Sequence, residues 1–353
     1  MSRTERPGAG SAGPSTRPSA RPTVEDVAAR AGVSRGTVSR VVNGSPKVSA
    51  KAREAVESAV ADLGYTPNQA ARSLVTSRSD VIALVVPEGF ERLRSEPYFA
   101  DVIAGISDEL ASTDLQLLLT LVRTERERER LARYLTARRV DGLILASVRQ
   151  GDPLPDQLER LGLPTVLGGR RSERETLSYV HGDNAGGARS AARHLAARGR
   201  TAVATITGPL DMEAAVARLA GYREALAEAG LTPEEALVAH GDFTEAGGYA
   251  AMRRLLAETP ALDAVFCASD LTAVGALLAL REAGRRVPED VAVVGFDDSV
   301  IARSTEPPLT SVRQPTQSMG RLMARILIEE IAEPGRPRRQ VTLPTELTVR
   351  ASS

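Results

Sequence analysis

The sequence predicts an N-terminal helix-turn-helix unit of three helices, followed by an α/β core built on parallel sheets. The N-terminal unit is indicated by apolar residues at helical spacing after Thr23 and by the break at Ala31-Gly32-Val33. The core is indicated by short β-branched runs that alternate with longer helical stretches from Val81 onward. Because this region spans roughly 270 residues, two such sheets are favoured over one.

Capping patterns place the three N-terminal helices. Thr23 stands three residues before Asp26, which approximates a capping box, so the first helix is expected to begin here. Ser34 is a good N-cap for a second helix over 35–42, and a third is expected over 49–63. Two short helices joined by a tight turn that contains glycine form a helix-turn-helix.

The outer face of the second helix predicts contact with DNA. The valines of this helix can bury against the first helix, and the remaining face carries no carboxylate. A recognition helix inserts its N-terminal residues into the major groove, where Arg35 alone could bind guanine O6 and N7 bidentately. Gly36 either lets the backbone approach DNA closely or is simply a tolerated glycine. The candidate DNA contacts of this unit are Thr23, Ser34, Arg35, Gly36, Thr37, Ser39, Arg40 and Asn43.

Four stretches, in order, carry a resemblance: VEDVAARAGVS, TVSRVVNG, VSAKAREAV and LGYTPNQAARSL. They resemble the DNA-binding headpiece of the lactose-repressor family of bacterial transcription regulators. In that family the segment matching 67–74 is a hinge helix that folds on operator DNA and enters the minor groove. The resemblance implies DNA contacts by Asn68, Ala71 and Leu74, with Leu74 as the wedge in a central base step. An ordinary linker is the alternative interpretation.

Charge and composition agree with a nucleic-acid-binding N-terminus. Residues 1–78 hold twelve Lys and Arg against six Asp and Glu, whereas the whole chain holds 45 of each. No signal-peptide pattern or membrane-length apolar run is present, so a cytoplasmic protein without membrane association is expected. The predicted divisions are a disordered extension over 1–22, the helix-turn-helix domain over 23–66, the hinge helix and linker over 67–78, and the core over 79–353.

The sequence gives little indication of a disulfide, a metal site or a catalytic site. The single cysteine, Cys267, excludes an internal disulfide, and the three histidines lack ligand spacing, so no metal site or cofactor is expected. The pair Asp297-Asp298 follows a predicted strand, but no general-acid partner is identifiable nearby. An enzyme is therefore not expected.

Predicted strands alternate with predicted helices along the core region. Strands are predicted at 81–86, 115–120, 142–146, 164–169, 202–207, 237–240, 264–269 and 291–296, and 177–180 is extended. Helices are predicted near 99–111, 125–138, 186–198, 213–229, 245–257 and 271–283. This alternation indicates parallel sheets joined by right-handed crossovers.

The core also resembles the same family, through stretches such as PYFADVIAGI, RRVDGLILAS, TGPLDMEAAVARLAGYREAL and VPEDVAVVGFDDS. The resemblance implies an effector-binding core with the periplasmic-binding-protein fold, in which three strands connect two lobes. It also implies a homodimer, since two headpieces must meet two half-sites of double-stranded operator DNA. The chain lacks the leucine-heptad extension of tetrameric relatives, which favours a dimer.

Candidate effector contacts lie just after the predicted strands, where parallel sheets bind ligands. They match positions that contact ligand in family members: Tyr98, Phe99, Asp183, Arg218, Phe243 and Asp270. Charged groups could bind adjacent hydroxyls while aromatic rings cover a pyranose face, so a small-molecule effector of the sugar class is expected. The alternatives are core packing for Phe99 and Phe243, helix caps for Asp183 and Asp270, and an inter-lobe salt bridge for Arg218. A cap at Asp183 is compatible with ligand contact through its neighbour Asn184.

These features predict a repressor that binds a pseudo-palindromic operator and is released by a small-molecule inducer. One alternative is a regulator that a nucleobase or nucleoside activates for DNA binding. Another is a sugar-binding module of the solute-binding type, which would need a signal sequence and no headpiece. Ser269 stands where the family often has Asn, which leaves the hydroxyl specificity open.

Overall fold

A computed structural model describes residues 22–42, 45–65, 78–137, 139–232 and 234–353. Contacts divide the chain into two compact units, Met1–Ser79 and Asp80–Ser353. The candidates Asn43, Asn68, Ala71 and Leu74 lie outside the described residues, as do the predicted hinge helix and nearly all of the predicted extension.

The first unit contains the three predicted helices: α1 (Val24–Ala31), α2 (Arg35–Val42) and α3 (Ala50–Leu63). Thr23 and Asp26 form the predicted capping box, and the Ser34 hydroxyl accepts a hydrogen bond from the Thr37 amide at 3.2 Å. Val27, Val38 and Val56, one from each helix, are fully buried together. The helix-turn-helix prediction is confirmed.

The second unit contains two six-stranded sheets. The first comprises β1 (Val81–Val86), β2 (Gln116–Leu121), β3 (Gly142–Ala146), β4 (Thr165–Gly168), β5 (Ser178–Gly182) and β11 (Gln340–Leu343). The second comprises β6 (Val203–Thr207), β7 (Val238–His240), β8 (Ala264–Cys267), β9 (Ala292–Asp297), β10 (Thr310–Arg313) and β12 (Glu346–Thr348). Their strand orders are β11-β5-β4-β3-β1-β2 and β12-β10-β9-β8-β6-β7, and only the β10–β12 pair is antiparallel.

Helices cover the faces of both sheets. Those of the first lobe are α4 (Phe90–Ser95), α5 (Pro97–Leu110), α6 (Glu125–Thr136), α7 (Leu154–Arg160) and α13 (Thr316–Ala332). Those of the second are α8 (Asn184–Ala197), α9 (Glu213–Glu228), α10 (Glu245–Glu258), α11 (Asp270–Glu282) and α12 (Val300–Ser304). A 3-10 turn covers Glu235–Leu237. None of the helices in the described ranges has the length and apolar character of a membrane span.

The chain passes between the lobes three times, after β5, after β10, and between β11 and β12. The two-lobed α/β architecture with parallel sheets is therefore confirmed. The sequence did not predict the 17-residue helix α13, the short helices α4, α7 and α12, or the strands β10, β11 and β12. Without α13, the first sheet would lack the helix that packs across β3, β4 and β5.

Helices α5 and α13 cross at two glycines. A Cβ at Gly105 would lie 2.0 Å from the Gln317 carbonyl oxygen, and one at Gly320 would lie 2.2 Å from the Val102 carbonyl oxygen. Because neither backbone can yield without moving a whole helix, only glycine allows this approach.

Replacing Gly105 with alanine should therefore destabilise the core. We expect Gly105→Ala to lower the free energy of unfolding by about 3 kcal/mol through overpacking. Urea denaturation followed by circular dichroism measures this change. Gly36→Ala is the contrasting variant, because a Cβ there would meet only the Ser34 hydroxyl at 3.7 Å. It should stabilise the first unit by about 1 kcal/mol, and equal destabilisation by both variants would contradict the packing argument.

Candidate functional site

The surface of α2 presents most of the predicted DNA contacts of the first unit. Arg35, Gly36, Ser39 and Arg40 are exposed, whereas Thr37 is half-buried and its hydroxyl is 3.0 Å from that of Ser34. Thr23 and Ser34 are exposed as well, and each already serves as a helix cap.

Arg35 has a carboxylate partner that the sequence did not suggest. Its guanidinium lies 2.9 Å from Glu25 on α1, and both side chains are more than half exposed. An exposed ion pair of this kind contributes little to stability. The guanidinium can therefore leave Glu25 and bind a guanine or a phosphate at a small cost in free energy.

A cavity lies between the two lobes of the second unit. It encloses about 600 Å³ of space, including its open mouth, and residues from both sheets line it. Four of the six predicted effector residues line this cavity: Tyr98, Phe99, Arg218 and Phe243. Further polar side chains that were not predicted to contact an effector also line it, among them Arg92, Glu96, His181, Asp297 and Gln314.

Arg218 is the buried centre of the polar part of this cavity. Its Nε donates to Asn184 Oδ1 at 2.9 Å, and another guanidinium nitrogen donates to the Ala268 carbonyl oxygen. The guanidinium carbon lies 3.7 Å from the Phe296 ring centroid, and its nearest carboxylate is Asp297 at 3.9 Å. Both partners of this ion pair belong to the second lobe, so the inter-lobe salt bridge considered for Arg218 is not what the structure contains.

Two half-buried carboxyl groups, those of Asp297 and Glu96, line the same space. Burial raises the pKa of Asp297 to about 8; Arg218 opposes the rise, while Asp270 and Glu96 add to it. Burial also raises the pKa of Glu96, against the effect of Arg92, which donates to it at 2.9 Å. Gln314 donates to Asp297 at 2.6 Å. The Asp297 carboxyl group of the cavity can thus be protonated near neutral pH.

The raised pKa of Asp297 predicts a pH-dependent stability. Between the unfolded value of 3.8 and the folded value of about 8, the folded state keeps a proton that the unfolded state has lost. The free energy of unfolding should therefore fall as pH rises through this window, and Asp297→Asn should flatten the decline. The remaining slope belongs partly to Asp270, whose pKa burial raises to about 6. Urea denaturation at several pH values tests this, and identical slopes for parent and variant would contradict it.

The aromatic side chains border the polar cluster. Phe243 is buried, and a side chain at Gly208 would collide with its ring. The guanidinium groups of Arg92 from the first lobe and Arg218 from the second lie 5.7 and 5.6 Å from its centroid. Tyr98 and Phe99 stack edge to face at 5.4 Å, and Phe99 also belongs to the hydrophobic core of the first lobe.

The other two predicted effector residues, Asp183 and Asp270, are not among the lining residues. Asp183 is the N-cap of α8, as the alternative interpretation had it, and accepts from the Gly186 amide at 2.9 Å. Asp270 is not the N-cap of α11, because Ser269 occupies that position. The Asp270 carboxylate instead accepts from the Ser299 amide and the Ser311 hydroxyl at 2.7 and 2.6 Å.

For both Asp183 and Asp270, a residue directly adjacent in the sequence lines the cavity instead. Asn184 follows Asp183, and Ser269 precedes Asp270. The sequence pattern thus located strand ends that border the cavity, but it did not decide which of two adjacent polar residues lines it. Asp297 also lines the cavity from the end of β9, a position considered above only as part of a catalytic pair.

Known proteins resemble this chain along most of its length. Residues 23–68 match the model for bacterial regulatory proteins of the lacI family, and residues 192–353 match the model for periplasmic binding protein-like domains. The chain is 52% identical over 334 residues to the HTH-type transcriptional regulator CelR of Thermobifida fusca, covering 94% of this chain and 98% of the relative. It is 34% identical over 335 residues to the ribose operon repressor of Escherichia coli (strain K12), covering 94% and 99%.

Solved structures show the same likeness. A complex of the transcriptional regulator CelR with cellobiose aligns at 49% identity with a TM-score of 0.76, covering 94% of this chain and 100% of that chain. The lac repressor dimer bound to operator and the anti-inducer ONPF aligns at 28% identity with a TM-score of 0.83, covering 94% and 99%.

Proposed function

The chain belongs to the lacI family of bacterial regulatory proteins and regulates transcription by binding DNA; on that premise we propose a cytoplasmic, homodimeric repressor that a sugar releases from its operator. We further propose that the sugar is cellobiose or a close relative of it. The observation that carries the proposal is the buried cluster of Arg218, Asn184 and Asp297 beside Phe243, in a cavity that both lobes line.

The residue types around the cavity suit a sugar. Arg218, Asn184, Asp297 and Gln314 offer donors and acceptors that match pairs of adjacent hydroxyl groups. Phe243 supplies an apolar face, which suits the C–H side of a pyranose ring. The similarity to CelR, for which a cellobiose complex is known, supports a disaccharide of glucose over ribose or a nucleobase.

A sugar held by both lobes provides the means of regulation. Because such a ligand contacts residues of each lobe, it binds one lobe arrangement more tightly than others and shifts the population toward it. The same coupling must act in reverse, so operator DNA lowers the affinity for an inducer by the same factor. The coupling can therefore be measured either by adding sugar to the operator complex or by adding operator to the sugar complex.

Selection from random duplex DNA tests the DNA-binding part of the proposal. The purified full chain should enrich a pseudo-palindrome, the expected target of a symmetric dimer. Calorimetry on the same protein should then show binding of cellobiose but not of ribose or hypoxanthine. A tight nucleobase complex that strengthens operator binding would favour the corepressor alternative. Sugar binding without an enriched DNA sequence would favour a sugar-binding module.

A further inference from the structure

His181, a residue of the cavity wall, has a ring nitrogen without a hydrogen-bond partner. Within the part of the chain that the structure describes, His181 Nδ1 is the only buried side-chain nitrogen or oxygen without a hydrogen-bond partner. The residue is 9% exposed and lines the cavity from the end of β5. Buried polar atoms are almost always hydrogen-bonded, so an orphan beside a ligand cavity indicates a group that a ligand satisfies.

The ring is held in a fixed orientation. Its Nε2 lies 2.9 Å from the Thr342 hydroxyl on the neighbouring strand β11, and Tyr179 packs against it edge to face at 5.4 Å. With one nitrogen and one ring face engaged, the position of Nδ1 is fixed before any ligand arrives. A preorganised group loses little conformational entropy on binding.

The surrounding wall leaves room for a ligand. Gly168 and Gly169 at the end of β4, and Gly182 beside His181, also line the cavity and carry no side chain. The Gly169 amide donates to the Val180 carbonyl oxygen at 3.0 Å, so this glycine wall adjoins His181. Of these three glycines, Gly169 faces open space, whereas a Cβ at Gly168 would meet Met323 and one at Gly182 would meet Gln314.

The charge state of His181 favours an uncharged partner. Burial lowers its pKa; Glu213 opposes this shift and Arg170 adds to it. These two residues form an ion pair between the lobes, with 2.7 Å between Arg170 and Glu213. A neutral imidazole donates through one nitrogen and accepts through the other, and a hydroxyl can satisfy either role.

We propose that His181 Nδ1 hydrogen-bonds one hydroxyl of the bound sugar and thereby selects among sugars that differ at that hydroxyl. This inference rests on the proposed function, because it concerns the same cavity and the same ligand class. It adds a contact from the first lobe that faces the polar cluster of the second, so a bound sugar links the two lobes through defined groups.

Calorimetry with cellobiose on the full chain tests the contact. His181→Phe keeps a ring of similar shape without nitrogen, and it should weaken cellobiose binding about tenfold or more. His194→Phe is the matched control. Its Nε2 is bonded to the Ser353 hydroxyl at 2.8 Å, it lies outside the cavity lining, and its replacement should leave the affinity unchanged.

Singly deoxygenated cellobioses identify the hydroxyl. For the parent protein, one analogue should bind about tenfold more weakly than cellobiose. For His181→Phe, that same analogue and cellobiose should bind with equal affinity, because the contact is already lost. The inference is wrong if every analogue loses the same factor of affinity on both proteins. It is also wrong if His181→Phe binds cellobiose as tightly as the parent does; in either case water satisfies Nδ1.

Nitrogen NMR of the unmodified protein gives a second readout that does not depend on a variant. Saturating cellobiose should shift the His181 Nδ1 resonance and leave those of His194 in place, and an unmoved His181 resonance would overturn the inference. Absence of any sugar binding by the parent would overturn the proposed function as well. Binding by the parent without an effect at His181 would overturn this inference alone.

Discussion

Arg218→Ala should reduce the affinity for cellobiose about a hundredfold or more and leave a repressor that no longer responds to it. The guanidinium is buried, holds Asn184 at 2.9 Å, and neighbours Asp297. Charge-assisted hydrogen bonds contribute about 1.5–3 kcal/mol each, and a sugar that loses two of them loses most of its polar binding energy. Calorimetry measures the affinity, and a reporter gene under the selected operator measures the response.

A control on the same helix separates binding from folding. Arg223 also lies on α9, but it pairs with Glu235 at the surface and does not line the cavity. Arg223→Ala should bind cellobiose like the parent. If Arg218→Ala remains folded by circular dichroism and binds cellobiose like the parent, Arg218 is a structural residue and the assignment of the cluster is wrong.

Arg35→Ala should have the largest effect on DNA recognition. We expect it to cost about 1–3 kcal/mol of discrimination at one guanine in each half-site, because a bidentate contact to guanine O6 and N7 would be lost. Competition binding with single-base operator variants measures that discrimination. Binding to nonspecific DNA should change far less, since it depends mainly on the number of neutralised phosphates.

Arg30 provides the matched control for this prediction. It is exposed and ion-paired, with 2.8 Å to Asp62, but it lies on α1 near its C-terminal end. Arg30→Ala should preserve the base preference of the parent at every position. If Arg35→Ala discriminates among the variant operators as the parent does, then Arg35 contacts phosphate or nothing, and another residue of α2 reads the base.

Local patterns were sufficient for the elements that local chemistry determines. Helix caps such as Thr23 and Ser34, and apolar runs such as 81–86, depend on residues that are close together in the chain. The same reasoning located the strand ends around the cavity, because parallel strands end at a common edge. Helix α13 carried a readable signal, since Met319, Met323 and Leu327 recur at helical spacing and are buried.

Long-range contacts determine what the sequence did not show. Asp270 turns away from the cavity because Ser299 and Ser311, 29 and 41 residues later, supply its hydrogen bonds. The strand β11 joins the first sheet next to β5, roughly 160 residues earlier in the chain, through pairing that no local pattern encodes. His181 became a candidate only when the structure showed its Nδ1 without a partner.

The most direct test of the account is a titration of cellobiose into a complex of the full chain with a fluorescently labelled operator from the selection. At constant salt, anisotropy should fall to the value of free DNA as the sugar saturates the parent protein, and it should stay high with Arg218→Ala. Constant anisotropy with the parent protein, at cellobiose concentrations that calorimetry shows to be saturating, would contradict release of the operator by a sugar.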